Sequence, residues 1–285
     1  MEHVLQTAHP QLRAPILVAA FEGWNDAGEA ATFAVRYLAD QWGARPFATI
    51  DPEEFYDFTA TRPTVRLDEG LTREIVWPAN QLLYASVPGT SVDVVLLVGT
   101  EPQLRWRTFC GEVVDLAREL DVRLVVTLGA LLAEVPHTRP VSIVGNAYNS
   151  ELVQRLGLQH SRYEGPTGIV GVLHDAMGKA GIPSASLWGA VPTYVPGAPS
   201  PKAALALIER AATLLEVPVE TTELEIASAS YERQIDSLVA DDDDTAAYVA
   251  RLESDIDSPD DDDDDEIDPD DFIEEVERFL RDNPT

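Results

Sequence analysis

The sequence predicts an α/β protein in which a mixed sheet carries helices on both faces. Three observations predict it. Short β-branched runs alternate with helical patterns along most of the chain. One interval, 51–91, breaks that rhythm with hairpin-like material, which brings in antiparallel strands. At 285 residues and 45% hydrophobic content, the chain can bury a core large enough to cover such a sheet.

The elements follow in order. PILVAAF (15–21) reads as a buried strand leading into a helix over 26–41, and RPFATI (45–50) as the next strand. FYDFTATRPTVRLDEGLTREIVWP then suggests a hairpin around Asp68-Glu69-Gly70. VDVVLLVG (92–99) precedes a helix over 103–120, and VRLVVTLGALL (122–132) and SIVGNA (142–147) are further strands. A helix near 168–180, the strand SASLWGA (184–190) and a helix over 201–216 complete a core domain set at residues 1–217. Two more helices, over 220–239 and 244–254, make a helical extension at 218–257.

Beyond it the chain changes character. Residues 258–269 are an acidic linker whose adjacent carboxylates repel one another and prevent packing. Residues 270–285 contain DDFIEEVERFLRD, which places Phe272, Ile273, Val276, Phe279 and Leu280 on one helical face. Docking of this helix on its own domain is favoured over docking on a partner.

Charge narrows the function. The formal net charge is −30, and residues 236–285 hold 22 acidic side chains against 3 basic ones. Such a surface repels phosphate backbones and anionic lipid, so neither nucleic acid nor membrane is an expected partner. The single cysteine, Cys110, excludes a disulfide framework within the chain. With no leader-like start and no membrane-length apolar run, a cytoplasmic location is expected.

Five places stand out. After the first strand, Glu22, Trp24, Asn25 and Asp26 lie between glycines, and Asp26 with Glu29 has the spacing of a capping box. Capping explains Asp26 but leaves Glu22, Trp24 and Asn25 unexplained. Thr100-Glu101-Pro102-Gln103 repeats the pattern, with Trp106 close behind and Thr100 and Gln103 spaced as a second capping box. Glu134 to Pro140 contributes His137 and Arg139, the only basic residues expected on that edge. Near residue 165, Thr167 is placed to cap a helix in which Gly168 and Gly171 permit close packing. In an open α/β sheet such strand ends gather along one rim, where ligands bind. Last comes WGAVPTYVPGAPSP (188–201), a proline-rich loop on which Tyr194 is expected to be exposed.

The sequence holds no G-x-S-x-G elbow, no H-E-x-x-H, no phosphate-loop motif and no Cys/His cluster. No catalytic residue, cofactor or metal is therefore assigned.

GWNDAG (23–28), LLVGTEPQLRW (96–106), VPHTRP (135–140), GPTGIVGVL (165–173) and the 188–201 loop, in this order, resemble the proteasome assembly chaperone 2 family in its bacterial branch. The resemblance covers about residues 10–216, and FIEEVERFLRD is similar to the family's closing helix. It implies a three-layer α/β/α fold of the phosphorylase/hydrolase-like type with a mixed sheet and a helical C-terminal extension. For eukaryotic and archaeal relatives it implies binding to proteasome α-subunits during assembly. Archaeal relatives dock through a hydrophobic-Tyr-X tail, a pattern from which Asp282-Asn283-Pro284-Thr285 departs.

Two functions are weighed. One is a non-enzymatic binding or assembly protein, a homo-oligomer that engages other protein chains, proteasome subunits among them. The other is a small-molecule enzyme of phosphorylase or hydrolase type with Glu22, Asp26, Glu101, His137 and Arg139 around a site on the rim. The absence of a catalytic motif, and the pairing of aromatics with charged residues, favour the first.

Overall fold

Runs that are apolar at every position can be buried only if both faces of their sheet are covered. The computed structural model, which describes residues 1–68, 72–147, 150–158 and 164–257, bears this out. Its strands are β1 (Val4–Gln6), β2 (Ile16–Glu22), β3 (Arg45–Ile50), β4 (Thr64–Asp68), β5 (Thr72–Val76), β6 (Asn80–Ser86), β7 (Asp93–Thr100), β8 (Leu124–Ala133), β9 (Ile143–Ala147) and β10 (Ser184–Pro192). Its helices are α1 (Ala30–Gln41), α2 (Trp106–Glu119), α3 (Ser150–Leu156), α4 (Ile169–Lys179), α5 (Pro201–Leu215), α6 (Thr222–Ala240) and α7 (Asp243–Asp257).

Eight strands form one sheet in the order β1-β3-β6-β7-β2-β8-β10-β9. The central four, β7, β2, β8 and β10, run parallel, and the flanking strands pair antiparallel, so the sheet is mixed. Side chains alternate between its faces. Ile16, Val18 and Ala20 of β2 join α1 and α5 in one apolar cluster. Leu17, Ala19 and Phe21 join α2 and α4 in the other. The result is the α/β/α sandwich with helices appended at the C-terminal side.

The hairpin expected within 51–91 is present as β4 paired with β5, separate from the main sheet; its turn lies outside the described residues. The strands β1 and β6 and the helix α3 are additions to the expected pattern. Helices α6 and α7 occupy the extension, with α6 laid on α5 and Leu224 inside the same apolar cluster. The acidic linker and the terminal amphipathic helix lie outside the described residues.

Several expected caps are corrected. The chain does not enter a helix at residue 26 but makes a short 3-10 turn, Ala27–Glu29, and Glu29 sits at φ 51°. No capping box forms there. Instead Asp26 Oδ1 reaches past the turn to accept from the amides of Ala31 (2.7 Å) and Thr32 (3.1 Å), capping α1 from a distance. Nor do Thr100 and Gln103 make a box, because α2 starts only at Trp106. The Thr100 hydroxyl donates to Glu22 Oε2 (3.0 Å), and Gln103 Oε1 accepts from the Asp57 amide (2.9 Å). Thr167 does not cap α4 either: Gly168 holds the N-cap position without a side-chain bond.

By contrast Ser200 does cap α5, accepting from the Ala203 amide (3.3 Å) ahead of Pro201 in the first turn. Tyr194 is half-buried rather than exposed. Cys110 is buried as a small apolar residue, and burial pushes its thiol up to about 12.

Candidate functional site

Parallel neighbours β2 and β7 end side by side, with Glu22 opposite Thr100. The chain leaves β2 for a helix on one face of the sheet and leaves β7 for a helix on the other. The chain therefore leaves the two paired strand ends toward opposite faces, the topological arrangement beside which α/β proteins hold ligands.

Five predicted residues meet here. Glu101 Oε1 accepts from Asn25 Nδ2 (2.8 Å) and from the Ile169 amide (2.8 Å), the first of α4. The Trp24 amide also donates to this carboxylate. Glu101 thus caps a helix that Thr167 had been expected to cap, and it holds the Trp24-Asn25 turn as well. Burial raises its pKa above the ordinary 4.5, opposed by those three donors.

Asn25 is buried, and its carbonyl accepts from the Ala130 amide of β8 (2.8 Å). Its side chain lies flat against Gly168, where an added Cβ would come within 2.2 Å of Nδ2. Glycine at that position is thus a demand of close packing.

Glu22 pairs with Arg36 of α1 and accepts from Thr100. Asp26, besides capping α1, accepts from the Thr32 hydroxyl; burial raises its pKa and these bonds oppose the rise. Trp24 points outward, 44% exposed. Trp106 is half-buried, its indole donating to the Pro102 carbonyl, and Thr167 is exposed.

His137 and Arg139 form a second group, facing the helical extension. The His137 ring is buried between the Tyr194 hydroxyl (2.7 Å from Nδ1) and Asp236 of α6 (3.0 Å from Nε2). The hydroxyl also accepts from the His137 amide (2.7 Å), and burial pushes it up to about 12. Arg139 reaches Asp257 (2.9 Å from Nε to Oδ1) and Glu253 (3.3 Å) of α7. The expected rim is thus divided: Glu22, Trp24, Asn25, Asp26 and Glu101 adjoin α1 and α4, while His137 and Arg139 bind α6 and α7.

Sequence reading missed four participants. Lys202 donates to the Arg139 carbonyl (2.7 Å) and pairs with Glu232. Arg36 holds Glu22. Tyr56 donates to the Thr100 carbonyl (2.6 Å), and Asn80 donates to the same oxygen (3.1 Å). Each acts across more than ten residues of sequence, so no local motif could have announced it. Among the described residues no group of His, Cys, Asp and Glu could hold a metal ion, and no helix is long and apolar enough to cross a membrane.

Exposed apolar side chains follow in the segments that lead away from the first group. Leu104 (47% exposed) lies three residues after Glu101, and its amide donates to the Phe55 carbonyl (3.0 Å). From there Phe58 packs edge-on against Trp77 (centroids 4.7 Å apart), itself 47% exposed at the foot of β5.

Comparison with known proteins places this geometry. The PAC2 family model matches residues 20–239. A PAC2 family protein from Streptomyces avermitilis is 47% identical, with a TM-score of 0.78 over 82% of this chain and 99% of that one. A proteasome-assembly chaperone homologue from Mycobacterium tuberculosis is 48% identical, with a TM-score of 0.76 over 82% of this chain and 99% of that one. An archaeal proteasome activator from Pyrococcus furiosus shares the fold at 17% identity, with a TM-score of 0.68 over 84% and 99% of the two chains. No curated protein matches.

Proposed function

The chain belongs to the PAC2 family, and on that premise we propose that it is a non-enzymatic binding and assembly protein that engages other protein chains. In this reading it works in the cytoplasm as a homo-oligomer, with proteasome subunits among its partners and no cofactor. The core at 1–217 supplies the binding rim, and the extension at 218–257 packs beside it.

The observation that carries the reading is that Trp24, Leu104 and Trp77 are exposed while the acids of the rim are already engaged. Exposed aromatic and aliphatic side chains grouped on one surface are what protein interfaces use as anchors. The acids next to them have structural roles: Glu101 caps α4, Asp26 caps α1 and Glu22 pairs with Arg36. That engagement is what favours binding over turnover at this rim. The Mycobacterium tuberculosis relative, a proteasome-assembly chaperone homologue, supports proteasome subunits as the partner to test first.

The test is co-purification of the full-length chain with proteasome α-subunits, comparing wild type with Trp24→Ala/Leu104→Ala. Capture by wild type and its loss in the double variant, at unchanged melting temperature, is the expected outcome. Equal capture by both proteins would remove the rim from the interface. No capture by either would remove the α-subunits as partner.

A further inference from the structure

Helix α6 buries one stripe, Leu224, Ser228, Tyr231 and Ile235. To one side of that stripe Glu232 and Asp236 pair with Lys202 and His137, beside the loop whose Arg139 holds α7. To the other side Ser230, Arg233, Gln234, Ser237, Leu238 and Asp241 recur at intervals of three and four, so they share a flank of the helix. They line an open groove of about 550 Å³. In it Leu238 is 62% exposed, and the exposed Arg233 pairs with no acid among the described residues. A groove that presents a leucine and an unpaired guanidinium to solvent suits an acidic amphipathic helix.

The chain itself contains a segment of that kind. Residues 270–282, DDFIEEVERFLRD, lie outside the described residues and carry Phe272, Ile273, Val276, Phe279 and Leu280 at helical spacing. At 3.6 residues per turn Glu275 and Glu277 fall on the two borders of that apolar face. We propose that this terminal segment seats in the α6 groove as a third helix of the extension, its apolar face against Leu238 and one of its border glutamates against Arg233. The rim around Trp24 stays open to partners in this arrangement.

Length and charge select this occupant. Helix α7 ends at Asp257 and is held by the same loop as Asp236, on the far side of α6 from the groove. The linker 258–269 reaches at most about 40 Å when extended. Passing from one side of a helix to the other takes two packing distances, roughly 20 Å in all. A contact anchored on one leucine is weak between separate molecules, whereas a short tether raises the effective concentration of its ligand into the millimolar range. A second copy would bring the same segment against the mutual repulsion of two chains of net charge −30.

The experiment is hydrogen–deuterium exchange on the full-length chain, read by mass spectrometry on peptides covering 270–282. Wild type is compared with Leu238→Glu, Arg233→Glu and the charge-swapped variant Arg233→Glu/Glu275→Arg/Glu277→Arg. Leu238 and Arg233 are exposed, so these variants keep the wild-type melting temperature. Expected in wild type is exchange of 270–282 at least about tenfold slower than that of an unstructured chain. Leu238→Glu should bring it to the unstructured rate. Arg233→Glu should quicken it about two- to fivefold, and the charge swap should restore the wild-type rate. Exchange at the unstructured rate in wild type overturns the proposal. Protection that Leu238→Glu leaves unchanged overturns it too, because the segment then docks elsewhere. Protection that survives about a hundredfold dilution supports the chain's own segment as occupant, whereas protection lost on dilution assigns the groove to a second copy and overturns the tethered seat.

Discussion

A single carboxylate shows how much of this rim is held by residues remote in sequence. Glu101 satisfies the first amide of α4 and the side chain of Asn25, joining three segments. Removing it in Glu101→Ala leaves buried donors unpaired, at a cost of about 1–3 kcal/mol. Thermal unfolding should then fall by roughly 2–4 °C for each kcal/mol lost. Its pH behaviour follows from the same burial. The folded-state pKa of Glu101 lies above its ordinary 4.5, so between those two values the folded protein binds more protons than the unfolded chain. Its contribution to stability is complete below 4.5 and is lost as pH rises through the folded value. Asp26 acts in the same direction. Glu101→Gln keeps an acceptor for the Asn25 and Ile169 donors and does not titrate, so urea melts of this variant across about pH 4–8 should show a flatter profile than wild type. An unchanged slope would assign the pH dependence elsewhere. Gly168→Ala is the steric counterpart: its methyl group meets the Asn25 amide, and a loss of about 1–3 kcal/mol is expected in the same melts.

At the scale of elements, the sequence showed some features plainly and concealed others for physical reasons. The strands β2, β7 and β8 were legible because burial on both faces leaves an unbroken apolar run. The hairpin was legible from its turn residues. The strand β6, NQLLYAS, carries polar residues and lies in the antiparallel flank, so it blends into the loop region around it. Helix starts were misread for another reason. Local capping motifs assume that the nearest acid or hydroxyl serves the helix, whereas α4 is capped from β7's end, 68 positions away in sequence. The site was legible as a set of residue types but not as a partition: nothing in VPHTRP reveals that His137 and Arg139 would turn toward α6 and α7. The attachment of α7 is ionic, through Arg139 with Glu253 and Asp257. Exposed pairs of this kind weaken as salt rises. Amide exchange in α7 should therefore quicken between low salt and about 0.5 M salt, while β2, β7 and β8 stay protected. Equal acceleration everywhere would mean that the extension opens only with the whole fold.

For the whole molecule, charge is unevenly distributed, with the acid-rich 236–285 region following a core domain of much lower charge density. Deleting 258–285 should leave the cooperative melt of the remaining chain intact, as followed by circular dichroism. Loss of that cooperativity would show that the last helix belongs to the core. The joint at Glu101 also has a mechanical meaning. The backbone of Trp24 hangs on the same carboxylate that anchors the start of α4. Whatever grips the indole from outside therefore tugs, through one side chain, on a layer it never touches. The nuclear resonance of the Ile169 amide becomes a remote gauge of occupancy at the surface.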